Sequence, residues 1–468
     1  MTHRPLLLRW VAWTPLWLAS LSGAAFAQNL SEVWAGVKAH DPIMRAVQAQ
    51  RQQAQALQLQ SQSVMQAEWQ WQTRVGQGAH ASQVDGARFN APGMSIPGGA
   101  QFETELRQAA VGSTEVQARL PLVNPQKSLQ QTQLTQASHL TEWQAQLQAQ
   151  QLLLTTAQRY FQWLVLERQL ALNAQQLAAV ERMAQEAQDR FKLGAAAVTD
   201  THETQARAAS LRAQALATRQ QWEVLRQTLS ASSGIALAQL RPTGLKAQDG
   251  PVQPSTTPLD LTEWMQRARA HNPQLLILAE RHRLAQNNLR SADLTAQARL
   301  DLVGVASVER MQGTSYLGSG SSGQQQQFVG VSFTLPLGLG GLRSAKAQEL
   351  LAVAQQREAE LQAGDREVMQ QLQATWLAIP TTQAQVQALQ VAHRASQSRL
   401  GATEVGHQVG DRTTLDLLNA RNDAAAAEMA WLKARTEWLM HQLSLDALAG
   451  QLNEASLARL ASAFDASR

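Results

Sequence analysis

Few residues of this chain could do chemistry. It has no Cys, so a thiol nucleophile, a thiolate metal site and a disulfide are all excluded. Neither HExxH nor GxSxG occurs, and His202-Glu203 lacks the second His of a zinc site. Gly318-Ser319-Gly320-Ser321-Ser322-Gly323 matches GxGxxG in form. Four glutamines and a strand pattern follow it, whereas a dinucleotide site needs strand, turn and helix. His40 and His271 have no ligand partners in register and read as structural. The expectation is a protein that is not an enzyme and holds no cofactor and no metal. The polar residues that stand out lie at two reversals, Phe191-Lys192-Leu193-Gly194-Ala195-Ala196-Ala197-Val198-Thr199-Asp200 and Val409-Gly410-Asp411-Arg412-Thr413-Thr414-Leu415-Asp416. The chemistry they offer is hydrogen bonding and ion pairing. Thr413 and Asp416 have capping-box spacing, and Asp200 reads as a cap for a helix starting near Thr201.

Long helical patterns must position these reversals. One runs from about Pro125 to Phe191, with Leu129, Ala137, Leu140, Leu147, Leu154, Phe161 and Leu164 marking a seam near coiled-coil spacing. At 1.5 Å per residue it is roughly 100 Å long, too long to stand without lateral partners. A second runs from about Leu342 to Val405 and carries Pro380, which predicts a kink or break. Gly406 and Gly410 are read as ending it, and Gly194 as ending the first.

Each long helix follows a pair of strands. In Met65–Val75 the odd positions are Met, Ala, Trp, Trp, Thr and Val, and the even ones are Gln, Glu and Arg. This is the period of a strand with one apolar and one polar face. Val116, Ala118, Leu120 and Leu122 share one face of a second strand. Ala298, Leu300, Leu302, Ala306 and Val308 share one of a third, and Val329, Val331, Phe333, Leu335 and Leu337 one of a fourth. Trp69 and Trp71 read as lipid-facing or interfacial. Two strands end alike, at Leu120-Pro121-Leu122 and Leu335-Pro336-Leu337, where each proline is read as stopping its strand. Gly76–Gln101 and Arg310–Gln327 read as polar loops. Upstream, Asp41-Pro42 and Asn272-Pro273 open helices at matching places.

The architecture is therefore mainly α with β, a duplicated helix-strand-strand-helix-helix unit. Residues 1–27 read as a signal peptide, with Arg4 and Arg9 before an apolar run and Ala25-Phe26-Ala27 as the cleavage site. The first repeat spans 28–231: strands at about 65–76 and 108–122, a long helix at about 125–192, a tip at 193–199 and a return helix at about 200–231. A linker covers 232–258. The second repeat spans 259–449: strands at about 297–309 and 327–337, a long helix at about 342–405, a tip at 406–412 and a return helix at about 413–449. Residues 450–468 form a tail. The formal charge of +4 falls to +2 without Arg4 and Arg9, which gives no reason to invoke nucleic acid. Four amphipathic strands cannot close a barrel, and lipid does not tolerate open sheet edges. Several copies must share one barrel, and three would supply about 12 strands.

Over about Gln28 to Ala449 the chain resembles the TolC family of outer-membrane efflux and secretion channels. The Leu-Pro-Leu strand ends, the Asp-Pro and Asn-Pro starts and the run Val409–Leu418 carry the resemblance. It implies a homotrimer in outer-membrane lipid, a barrel continued by a long periplasmic α-helical barrel, and a closable aperture at the tips. It also implies docking of a periplasmic adaptor of an inner-membrane transporter, with Gly194 and Gly410 matching tip glycines that let the adaptor approach. Arg412 matches an arginine that links to a Thr-Asp pair on the other tip, here Thr199 and Asp200. Asp416 matches an acidic ring at the constriction. Asn419 stands where the family has a second ring aspartate, and His407 where it has a tyrosine that bonds the tip aspartate. The competing expectation is a soluble periplasmic coiled-coil adaptor or structural protein of an envelope complex. That reading needs one helical hairpin flanked by small β domains, and this chain has two hairpins.

Overall fold

Asn or Asp residues start the helices of both halves by taking up free N-terminal amides. In the computed structural model, Asn29 Oδ1 accepts from Glu32 N at 2.9 Å, and Asp41 Oδ1 accepts from Ile43 N at 2.7 Å. Asn124 Oδ1 accepts from Lys127 N at 3.1 Å, and Asn272 Oδ1 from Leu275 N at 3.1 Å. Prolines 42, 125 and 273 follow three of these caps directly, where a missing N–H costs nothing. The structure describes residues 29–87, 100–194, 197–240, 260–294, 297–315, 318–336 and 342–465. The signal-peptide reading of 1–27, most of the linker, and Leu337 lie outside them.

The two halves match element by element. The first consists of α1 (Leu30–His40), α2 (Pro42–Ser63), β1 (Glu68–Ala87), β2 (Ala100–Val123), α3 (Pro125–Lys192) and α4 (Val198–Ser233). The second consists of α5 (Leu261–His271), α6 (Pro273–Leu294), β3 (Arg299–Ser315), β4 (Gly318–Thr334), α7 (Leu342–Gln408) and α8 (Thr414–Leu448), and α9 (Glu454–Asp465) follows. Paired helices have nearly equal lengths: 11 and 11, 22 and 22, 68 and 67, 36 and 35 residues. Both α2 and α4 pack along α3, α6 and α8 pack between α3 and α7, and so the helices form a single layer.

One face of this layer carries the core. Trp163, Leu164, Leu229, Trp431, Trp438 and Leu439 pack with Leu30, Val33, Trp34 and Val37 of α1 and with Leu457 of α9. Tyr160 meets Trp163 edge-on at 6.1 Å. Two histidines serve as matched spacers here. A side chain on Gly234, which closes α4 at φ +70°, would collide with the His40 ring, and one on Gly450, which closes α8 at φ +70°, with the His271 backbone.

The strands form one antiparallel sheet in the order β1-β2-β3-β4. Trp69 pairs with Ala118, Ala118 with Gly304, and Gly304 with Val329; the next row is Trp71, Val116, Ala306 and Gln327. Leu120, Leu302 and Val331 continue the same face on the helix side. It is bare: Trp69 is 75% exposed, Val329 82% and Phe333 65%. The opposite face carries Gln70 beside Gln117, and Gln72, Glu115, Ser307 and Gln326 in one row. Within the chain, β1 and β4 each have a partner on one side only.

Several sequence expectations need correction. Much of 76–101 and 310–327, read as loops, is paired strand, so β1 runs to Ala87 and β4 starts at Gly318, with the GxGxxG run inside it. Regular alternation fades in these Gly-, Ser- and Gln-rich stretches, although backbone pairing continues and Leu106, Ala109 and Met311 form a small buried cluster. Pro121 does not stop its strand: it lies within β2 opposite Asp301. Pro380 does not break α7. Thr381 and Thr382 hydroxyls donate to the carbonyls of Leu377 and Ala378, and neighbouring helices hold the segment laterally. Gly406 also remains helical, and α7 ends at Gln408.

Candidate functional site at the hairpin tips

Backbone geometry builds the second tip. Gly410 takes φ +82°, which a side chain disfavours. Its N–H donates to His407 O at 3.1 Å, and Asp411 N–H donates to Gly406 O at 2.8 Å. Together these form a Schellman end, satisfying the last carbonyls of α7. Arg412 N–H shares the Gly406 carbonyl at 3.2 Å. A Cβ on Gly406 would lie 2.8 Å from Arg412 Cγ. Gly406 therefore seats the Arg412 side chain across the last turn of α7, a role the sequence did not reveal.

Thr413 then starts α8 with a complete capping box. Asp416 N–H donates to Thr413 Oγ1 at 3.1 Å, and Asp416 Oδ2 accepts from Thr413 N at 3.0 Å and from its hydroxyl at 2.8 Å. The Thr413 amide and hydroxyl, helped by the Arg412 charge, hold the Asp416 carboxyl below its ordinary value. Asp416 and Asn419, one helical turn apart, are both exposed. His407 Nε2 lies 3.4 Å from Thr414 Oγ1. Its ring is thus engaged within its own hairpin.

The first tip is built differently. Gly194 takes φ +73° and donates to Phe191 O at 2.9 Å. Ala197 is the N-cap of α4 and makes no side-chain bond. Thr199 and Asp200 lie inside the first turn, which corrects the reading of Asp200 as the cap. Thr199 is exposed, and the Asp200 side chain lies outside the described residues. Among the described residues no hydrogen bond or ion pair joins Arg412 to Thr199. What brings the tips together is an apolar cluster behind them: Val180, Met183, Ala208, Leu211, Leu417 and Leu418. Ion pairs lock each hairpin further up. Arg212 Nη2 lies 2.6 Å from Glu181 Oε1, Arg421 Nη2 lies 2.9 Å from Glu404 Oε1, and Arg399 meets Asp423. The sequence reading missed these pairs, although opposite charges equidistant from a reversal are a usable signal. Side chains added at Gly194 or Gly410 would meet nothing within 4 Å, so both turns present open backbone.

Comparison with known proteins agrees with this geometry. The family model described as outer membrane efflux protein matches residues 264–451. The chain is 27% identical over 332 residues to the outer membrane protein TolC of Escherichia coli, covering 68% of this chain and 65% of that protein. It is 27% identical over 322 residues to the alkaline protease secretion protein AprF of Pseudomonas aeruginosa, covering 68% of this chain and 65% of that one. Both matches thus span slightly less than two thirds of the relative's length. Among solved structures, the CmeC outer membrane channel of Campylobacter jejuni superposes with a TM-score of 0.67 at 13% identity, covering 98% of each chain. That likeness shows the shared fold.

Proposed function

Because the chain belongs to the TolC family of outer membrane efflux proteins, we propose that it is an exit duct from the periplasm across the outer membrane. It would serve a tripartite efflux pump or a type I secretion system. The observation that carries this reading is the sheet with two unpaired edges, one apolar face and one polar face. Lipid leaves no backbone group unpaired, so such a sheet can span a bilayer only within a closed ring. Three copies give about 12 strands, a size within the range of outer-membrane barrels. The helical layer continues the wall into the periplasm, and the tips form its far end.

At that end, Arg412 contacts Thr199 and Asp200 across neighbouring hairpins and holds the aperture shut. Three copies of Asp416 surround the constriction with Asn419 beside them, one carboxylate per subunit. His407 adds a contact at the same level. An adaptor docks on the open backbone at Gly194 and Gly410, linking the duct to an inner-membrane transporter. The likeness to AprF, a protease secretion protein by name, supports protein cargo. Cell fractionation with native mass analysis tests the reading. A trimer in the outer-membrane fraction is expected, and a monomer in the soluble periplasmic extract overturns it.

A further inference from the structure

The helical layer carries a groove that the duct reading does not use. It has a volume of about 1170 Å³ and lies over α3, between α4 and α8. On α3, Gln158 and Gln162 line it on a side away from Ala157, Tyr160 and Leu164, while Phe161 and Val165, which belong to or pack against the core, form its floor. On α8, Lys433 and Glu437 line the groove, Met440 lies between it and the core, and Trp431, Trp438 and Leu439 turn into the core. The core side is covered by α1 and α9, so the groove opens on the side free of those helices.

Its chemistry is two-sided. Val165, Val224, Leu225 and Met440, over the buried Phe161, supply apolar surface. Val224 is 58% exposed and adds to that surface. Arg159 and Lys433 stand at the margin, and among the described residues neither makes an ion pair. The carboxylate in the lining, Glu437, lies 3.9 Å from His441. Two uncommitted cations over an apolar floor complement a molecule with one apolar body and one anionic end.

We propose that this groove binds amphipathic organic anions of drug-like size, and, resting on the duct reading above, that it does so on the inner wall of the tunnel. Such a site would hold anionic amphiphiles in transit by weak, reversible contact. It names a cargo class that the tips do not.

The test uses the full chain in lipid nanodiscs, with 8-anilinonaphthalene-1-sulfonate as the anionic probe and N-phenyl-1-naphthylamine as its uncharged analogue. Saturable fluorescence enhancement by the sulfonate is expected. The double variant Arg159→Glu with Lys433→Glu should weaken it at least tenfold and leave the uncharged dye unchanged. Lys433→Ser, at an exposed position that folding tolerates, should give an intermediate loss. Equal sulfonate affinity in wild type and both variants would overturn the proposal, as would parallel losses for both dyes. A chain that fractionates as a soluble monomer yet binds the sulfonate selectively would keep the groove and remove the duct.

Discussion

Replacing Gly410 by Ala isolates the backbone term at the second tip. The residue sits at φ +82° and an added Cβ meets no atom within 4 Å, so no steric clash enters. What remains is the preference of an L-residue against the left-handed region, about 1–2 kcal/mol. Gly401→Ala is the matched control. It lies within α7, its Cβ also meets nothing, and its φ is not positive, so the change should favour the helix by up to about 1 kcal/mol. One substitution therefore loosens the tip and the other does not. A large multi-element chain gives no single unfolding free energy, so the readout must be local. Hydrogen exchange at the Asp411 amide, which donates to Gly406 O at 2.8 Å, reports tip opening. Gly410→Ala should speed it by roughly 5- to 30-fold, and Gly401→Ala should leave it unchanged or slower. Equal exchange in the two variants would show that the Schellman end does not hold the tip. Conductance should follow the same order, because a loosened tip relaxes the aperture.

Three further outcomes follow from the same geometry. Arg412→Ser should raise single-channel conductance in planar bilayers, and unchanged conductance in both Arg412→Ser and Asp200→Ala would place the closing contacts elsewhere. Asp416→Ala should abolish block by multivalent cations from the periplasmic side, and Asn419→Asp should strengthen it, since low-dielectric walls focus the field of a second ring. The Asp416 carboxyl is held below its ordinary value; its capping contribution is therefore complete above the ordinary carboxylate pKa and is lost as pH falls through the depressed one. Protection of the Asp416 amide, taken relative to its intrinsic exchange rate at each pH, should then persist at pH 5.5 and fall only in stronger acid, whereas in Thr413→Ala it should be low throughout.

Local chemistry was legible in the sequence and lateral chemistry was not. Asp41-Pro42, Asn272-Pro273, Gly410 and the Thr413–Asp416 box depend on residues within one or two turns, and their spacing states the outcome. The apolar sheet face was legible because Trp69, Trp71, Val329 and Val331 alternate with polar neighbours. Strand length was hidden, since beyond Val75 and Arg310 regular alternation gives way to Gly-, Ser- and Gln-rich sequence and register shifts, and pairing shows the strand. Pro380 reads as a breaker alone, but packing of its neighbour Ile379 against the two core clusters holds α7 continuous. Gly406 reads as a terminator because its real partner, Arg412 Cγ, folds back over it. The groove over α3 was invisible because its margin is shared by three helices far apart in sequence.

The two hairpins of the sheet differ in height although the two helical hairpins do not. Measured from the row joining Val75 and Arg310, β1 continues to Ala87 and β3 only to Ser315, roughly 40 Å against roughly 17 Å at 3.3 Å per residue. In a ring of three chains the outer rim would be scalloped, with three turrets separated by three notches, while the opposite end would be nearly level with six similar tips. A ligand arriving from outside such a ring would meet threefold symmetry. A partner approaching such a ring from within would meet near-sixfold symmetry of the backbone, with side chains such as Ala197 against Thr413 distinguishing the tips.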